Sequence, residues 1–86
     1  MEYHEIISSR IVTLCKERGI SINKLANMSN IKQSTIDNIV RGGSRNPRIM
    51  TLHKIAYAFG MTLSEFFDFP AIDAVVFDDD SMDDDS

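Results

Sequence analysis

The sequence has a single cysteine, two prolines, no tryptophan and no long apolar run. Cys15 is the only cysteine, so no disulfide can form within one chain. It falls on the apolar stripe of the first predicted helix, which favours a buried, inert thiol over a redox sensor. No apolar run approaches the ~20 residues of a membrane span, and no signal peptide opens the chain. We therefore expect a cytoplasmic protein that is not in a membrane.

The residue sets of catalysis and metal binding are also missing. The sequence contains no paired His and Cys, no Ser–His–Asp arrangement, no glycine-rich phosphate loop and no Cys/His metal set. Asp78 and Asp80 have the spacing that opens an EF-hand calcium loop, but Met82 occupies a ligand position and no glycine follows it. We expect no enzyme activity, no cofactor and no metal site.

Basic residues are absent from the last part of the chain. All nine Lys and Arg lie in residues 1–67 against five acids, which gives +4, whereas residues 68–86 hold eight Asp, which gives −8. The total of −4 therefore conceals a basic folded part, and such asymmetry is more informative than the sum. We expect one domain over residues 1–69 and an acidic tail over residues 70–86.

The acidic tail has two interpretations. Asp78–Ser86 contains six Asp and is typical of a self-repelling, disordered segment that keeps a protein soluble. Alternatively, its charges imitate a phosphate strand and cover the basic face of the same or another molecule. In that case the apolar run Ala71–Phe77 would anchor it.

Apolar residues at helical spacing predict five helices. Gly19 is expected to end the first helix in a left-handed conformation, and Ser21 to cap the second. Thr62 and Glu65 form a complete capping box for the fifth. The predicted helices run from about Glu5 to Arg18, Ile22 to Met28, Gln33 to Arg41, Met50 to Phe59, and briefly from Thr62.

The second and third predicted helices are joined by a tight turn. Ala26 is small enough to let another helix cross closely, and Asn30 is a common non-glycine choice for a left-handed turn residue. Ile36 and Ile39 then recur at helical spacing and form an inward stripe with Val40. The opposite face of the third helix is polar and mostly uncharged, which is typical of a helix that recognises a ligand.

The stretch INKLANMSNIKQSTIDNIVR, followed by RNPRIMTLHKIAYAFGMTLSEFF, resembles the Cro and phage-repressor type of helix-turn-helix regulator (the lambda-repressor-like, XRE family). The resemblance covers roughly residues 6–67. It implies a compact all-α domain of five helices with a central helix-turn-helix, to which the charge pattern adds a disordered or loosely docked acidic tail. It also implies a homodimer on double-stranded DNA. Because the sequence shows no sensor domain after Phe67, we expect no small-molecule effector. Phe66 and Phe67 in the fifth helix are then either core residues or dimer contacts.

The resemblance implies base contacts from the third helix, because Gln33, Ser34 and Asn38 match positions that face the major groove. Gln and Asn amides can pair with adenine N6 and N7, and Ser can serve several bases. Asp37 could accept from cytosine N4, or it could simply favour the start of the helix.

Phosphate contacts are expected from the start of the second helix and from the loop after the third. Lys24 stands where a capping box would place Glu, so this helix start stays electropositive and suits a phosphate. The family often has Gln at position 22; Ile22 could offer only its backbone amide. The phosphate candidates are Ser21, Ile22, Asn23, Lys24, Lys32, Arg41, Ser44, Arg45 and Arg48.

These features predict a sequence-specific transcriptional regulator, acting as a repressor, that reads the major groove with helix 33–41. The alternative is a protein-interaction module, such as an antitoxin-like protein, that binds a partner through the tail or the fifth helix.

Overall fold

Five α-helices and one short 3-10 helix make up the computed structural model, which describes residues 2–75 and contains no strand in that range. The helices are α1 (Tyr3–Arg18), α2 (Ile22–Ser29), α3 (Gln33–Val40), α4 (Ile49–Ala58), α5 (Leu63–Phe66) and the 3-10 helix Pro70–Ala74. The all-α expectation and the order of the five helices are thus confirmed. No helix in the described range is long and apolar enough to cross a membrane.

The helix ends follow the capping signals of the sequence. Gly19 ends α1 with a φ of 65°, and Asn30 ends α2 in the same left-handed region with a φ of 58°. The Ser21 hydroxyl accepts a hydrogen bond from the Lys24 amide at 3.0 Å, and no capping box forms there. At α5, the Thr62 amide donates to the Glu65 carboxylate at 2.8 Å, and the Glu65 amide donates to the Thr62 hydroxyl at 3.0 Å. Short-range chemistry therefore sets these boundaries.

Helix α1 begins two residues earlier than the sequence predicted. The Glu2 amide donates a hydrogen bond to the Glu5 carboxylate at 2.8 Å, which fixes the first turn from Tyr3 onward. That bond stabilises the ionised carboxylate, so the pKa of Glu5 lies below its ordinary value. Helices α3 and α4 each end one residue earlier than the sequence predicted, because Arg41 and Phe59 are their C-cap residues.

One core joins all five helices. Phe66 of α5 is fully buried, so the structure assigns it to the core rather than to a dimer surface, while Phe67 is half-buried against that core. Ala26 is also buried, where α2 packs against α3 and α4. The buried apolar residues are Ile6, Ile7, Ile11, Leu14, Cys15, Leu25, Ala26, Ile36, Ile39, Leu52, Ile55, Ala56, Phe59 and Phe66.

Arg10 ties α1 to the end of α5. Its guanidinium donates to the backbone carbonyls of Phe66 at 2.9 Å and Glu65 at 3.0 Å. It also lies 4.8 Å from the centre of the Phe69 ring. A cation at the carbonyl end of a helix is favourable for both hydrogen bonding and electrostatics. This arginine therefore serves the fold.

Packing continues past residue 69. The 3-10 helix Pro70–Ala74 lies against α1, and Ile72 packs on the core. We propose that the domain extends through this helix rather than ending at residue 69. Residues 76–86, which hold the six aspartates expected to form the tail, lie outside the described residues.

Enlarging Ala26 should push α2 away from its neighbours. We expect Ala26→Leu to lower the free energy of unfolding by about 1–3 kcal/mol, because overpacking forces side chains out of their rotamers. Asn27→Leu, at the exposed position beside it, should change stability by less than about 0.5 kcal/mol. Urea unfolding followed by circular dichroism measures both. Equal effects of the two variants would contradict close packing at Ala26.

Cys15 should be chemically protected while the protein is folded. It is 5% exposed, and burial raises the pKa of its thiol, so the reactive thiolate is scarce at neutral pH. We expect a thiol reagent such as dithionitrobenzoate to label the native protein at least about a hundredfold more slowly than the urea-unfolded protein. Similar labelling rates in the two states would show that Cys15 is accessible.

Candidate nucleic-acid interface

Helix α3 presents one polar face to solvent and one apolar face to the core. Ile36 and Ile39 are buried, whereas Gln33, Ser34 and Asn38 are exposed and Asp37 is half-buried. At 3.6 residues per turn, the two sets fall on different sides of the helix. The residues expected to read bases are therefore available to a ligand.

A groove of about 740 Å³ lies along α3, the following loop and the start of α4. It brings Ser34, Asp37 and Asn38 together with two arginines, Arg41 and Arg48. Hydroxyl and amide groups can bind base edges and guanidinium groups can bind phosphates, so the groove holds groups suited to both kinds of contact. Its remaining lining comes from Thr35, Ile39, Ser44, Asn46, Pro47 and Thr51.

The other predicted contact residues lie outside the groove lining. Gln33 and Lys32 are exposed at the start of α3, and Arg45 is exposed in the loop. At the start of α2, the side chain of Ile22 packs against the core, so this residue could offer a ligand only its amide. The exposed polar residues there are Ser21, Asn23 and Lys24.

Three polar groove residues were missed by the sequence reasoning: Thr35, Asn46 and Thr51. Thr35 lies beside buried Ile39, at the edge of the apolar face of α3. Helical periodicity alone does not decide whether a residue at such an edge is exposed. Asn46 follows Arg45 in the loop that was already expected to bind phosphate, so its polarity was an available signal. Thr51 comes from α4, and only the packing of α4 beside the loop brings it to the groove.

The C-terminal end of α3 is held by backbone and side-chain contacts. The carbonyl of Asn38 accepts from the amides of Gly43 at 2.9 Å and Ser44 at 3.2 Å. From α1, the Ser8 hydroxyl donates to the Val40 carbonyl at 2.6 Å. Gly42 lies in the left-handed region with a φ of 84°. These hydrogen bonds therefore hold the turn between α3 and the loop that carries Arg45 and Arg48.

Gly43 leaves room for the Asn38 side chain. A Cβ at Gly43 would collide with Oδ1 of Asn38, so the asparagine amide lies directly against the glycine backbone. Asn38 thus lies where the polar face of α3 meets the following loop. Its expected role in base contact stays a prediction, and it requires the amide to face away from Gly43.

Two other cations of the described residues make contacts within the fold, away from the groove. Arg10 binds the end of α5, and the Arg18 guanidinium lies 5.2 Å from the centre of the Phe59 ring. Lys24, Lys32, Arg41, Arg45 and Arg48 are all exposed. Among residues 2–75, no group of three or more His, Cys, Asp or Glu side chains could hold a metal ion.

The fold and the groove define a helix-turn-helix DNA-binding domain, in which α2 and α3 are the two helices of the motif. Residues 10–71 match the Cro/C1-type HTH DNA-binding domain family. The chain belongs to that family. It is accordingly a DNA-binding transcriptional regulator rather than an enzyme.

Solved structures that are similar to this chain include a prophage protein and a bacterial regulator. The crystal structure of the prophage Lp1 protein 11 shares 30% identity at a TM-score of 0.76, over 87% of this chain and 100% of that one. An HTH_3 family transcriptional regulator from Vibrio cholerae shares 32% identity at a TM-score of 0.69. That match covers 76% of this chain but only 36% of the longer regulator. Comparison with curated proteins gives no significant match.

The contact between Gly43 and Asn38 can be tested with a double-mutant cycle. We expect Gly43→Ala to lower the free energy of unfolding by at most about 0.5 kcal/mol, because the new methyl group meets the far end of the exposed Asn38 side chain, which can turn away. In an Asn38→Ala background the same substitution should cost less, since the colliding oxygen is gone. Urea unfolding of the four proteins gives the coupling free energy. A coupling of zero would contradict the contact.

Proposed function

We propose that this protein is a sequence-specific repressor that binds a two-fold-related operator as a homodimer. The observation that supports it best is the α3 groove, which combines exposed hydroxyl and amide groups with Arg41 and Arg48. On this proposal, α3 enters the major groove and the half-sites lie one DNA turn apart, ~34 Å.

Within this proposal, bases are read by Gln33, Ser34, Asp37 and Asn38. Gln and Asn offer a donor and an acceptor in one amide, which suits the adenine edge. The half-buried carboxylate of Asp37 could accept from cytosine N4 and would repel phosphates. The proposed phosphate contacts are Ser21, Ile22, Asn23, Lys24, Lys32, Arg41, Ser44, Arg45 and Arg48.

The phosphate contacts are proposed to give affinity and register, and the base contacts preference. The start of α2 supports such a role because the first amides of a helix have no intrahelical acceptors. Ser21 satisfies the Lys24 amide, and the amides of Ile22 and Asn23, for which the helix itself offers no acceptor, are the ones proposed to bind a phosphate. Binding should therefore depend strongly on salt.

The alternative, a protein-interaction module on the same scaffold, is favoured by a different observation. Ile49, Met50 and Tyr57 of α4 are exposed apolar residues outside the groove. The two proposals can be distinguished by fluorescence anisotropy titrations at two salt concentrations. The probe is a duplex with the sequence found upstream of the protein's own gene. Salt-dependent binding with a sequence preference supports the repressor. Absence of binding beside a stable complex with another protein supports the module.

A base contact and a phosphate contact should respond differently to truncation. We expect Gln33→Ala to cost about 1–3 kcal/mol on the preferred duplex and to relax sequence preference. Arg45→Ala, its matched control, should weaken binding to all duplexes alike and reduce the salt slope by about 1. Anisotropy titrations on preferred and scrambled duplexes measure both effects. If Gln33→Ala left affinity and preference intact, its assignment to base reading would be wrong.

A further inference from the structure

The cations of the described chain are concentrated between residues 24 and 54. That stretch holds six cations against one acid, Asp37, which gives +5. The rest of residues 2–75 holds three cations and six acids, which gives −3. The positive charge of the domain is therefore carried by the stretch that builds the groove. Its six cations are Lys24, Lys32, Arg41, Arg45, Arg48 and Lys54.

These six cations have no partner within the domain. Among residues 2–75, none of them forms an ion pair or a side-chain hydrogen bond with another described residue. Arg41 and Arg48 line the groove together, and Asp37 lines it without pairing with either arginine. Unpaired cations that share a groove repel one another and attract anions. An anionic occupant is therefore favoured there.

The same chain contains such an anion. Residues 76–86, hereafter the acidic segment, hold no cation and six aspartates in two runs, 78–80 and 83–85. We propose that the second run occupies the groove of its own chain when DNA is absent, so that a duplex must displace it to bind. This inference rests on the proposed function, because it describes the regulation of the same DNA site.

The start of the acidic segment is fixed on α1. The 3-10 helix packs against α1, and its residue Ala71 lines a pocket with Ile6, Ser9 and Thr13. Ser8, which binds the Val40 carbonyl of α3, lies about 130° around α1 from the middle of those three residues. The 3-10 helix and α3 therefore pack on different sides of α1, with that helix between them.

The lengths of chain involved favour the second run over the first. Packed helix axes lie about 8–10 Å apart, so two such steps and the radius of α3 separate Val75 from the groove by about 25 Å. An extended chain spans at most about 3.3–3.6 Å per residue. The first run, three to five residues beyond Val75, reaches at most about 18 Å, whereas the second, eight to ten residues beyond it, reaches about 29–36 Å. Only the second run is long enough to enter the groove.

A tethered anion needs little intrinsic affinity to compete with DNA. A short linker gives an effective concentration in the millimolar range, so even a weak electrostatic contact is populated. A chain whose groove is occupied cannot bind a duplex, and apparent affinity falls by the fraction of chains that are open. Because this fraction belongs to the protein alone, preferred and scrambled duplexes should be weakened by the same factor.

Two variants that remove equal charge test the proposal through DNA binding. The first carries Asp83→Asn, Asp84→Asn and Asp85→Asn, and its matched control carries Asp78→Asn, Asp79→Asn and Asp80→Asn. At low salt we expect the first variant to bind preferred and scrambled duplexes at least about threefold more tightly than the wild type. The control should gain less than about 1.5-fold, because its aspartates do not reach the groove. Anisotropy titrations, with preferred duplexes selected from a random pool by the wild-type protein, measure these ratios.

A second measurement locates the acidic segment without DNA. Cys15 is buried, so a nitroxide thiol reagent should attach to the Ser86→Cys variant at position 86 alone, and wild-type protein treated in the same way is the control. We expect the nitroxide to broaden the amide NMR signals of Ser44 and Thr51, which line the groove. The signals of Gly19 and Gly60, at the far ends of α1 and α4, should stay sharp. Adding the three substitutions at 83–85 should remove the broadening.

The outcomes separate this inference from the proposed function. Sharp groove signals, together with equal gains from the two sets of Asn substitutions, would leave the repressor standing and overturn the groove contact. Broadening that appears only when nitroxide-labelled chains are mixed with separate isotope-labelled chains would assign the contact to another copy and also overturn it. Broadening of the groove signals within one chain, without DNA binding by any variant, would retain the contact and refute the repressor.

Discussion

The structure depends on the left-handed turn at Asn30. This residue has a φ of 58°, and the next amide, that of Ile31, donates to the Ala26 carbonyl at 3.1 Å. The turn ends α2 and lets the chain reverse within a few residues, so that α3 can pack against α2 over the small side chain of Ala26. Asn adopts this conformation at lower cost than most residues because its short polar side chain tolerates it. The orientation of α3 within the domain follows from this turn.

The elements that the sequence predicted well are those with local causes. Gly19, Ser21, Asn30 and Thr62 act through their own backbone or through amides three residues away, so their effect is visible in a short window. The apolar periodicity of α3 likewise separated its buried and exposed sides. The family resemblance then indicated a ligand for the exposed side, and periodicity alone cannot identify a ligand.

The features that the sequence did not predict are those with distant causes. Arg10 binds carbonyls 55 and 56 residues away, and a pattern of cations cannot reveal that two of them serve packing. The collision between Gly43 and Asn38 depends on the path of the loop. Exposure of Met50 and Tyr57 depends on which side of an almost wholly apolar helix the core occupies. Each is decided by tertiary packing rather than by local preference.

The bond from Ser8 to the Val40 carbonyl has a thermodynamic consequence. With Asn30 fixing the start of α3 and Ser8 holding its end, the ordering entropy of that helix is lost when the protein folds and not when it meets a ligand. Association should then show a heat-capacity change that reflects only the surfaces brought into contact, without the large negative contribution of coupled folding. A helix that is ordered in advance in this way can bind a ligand without a further loss of conformational entropy.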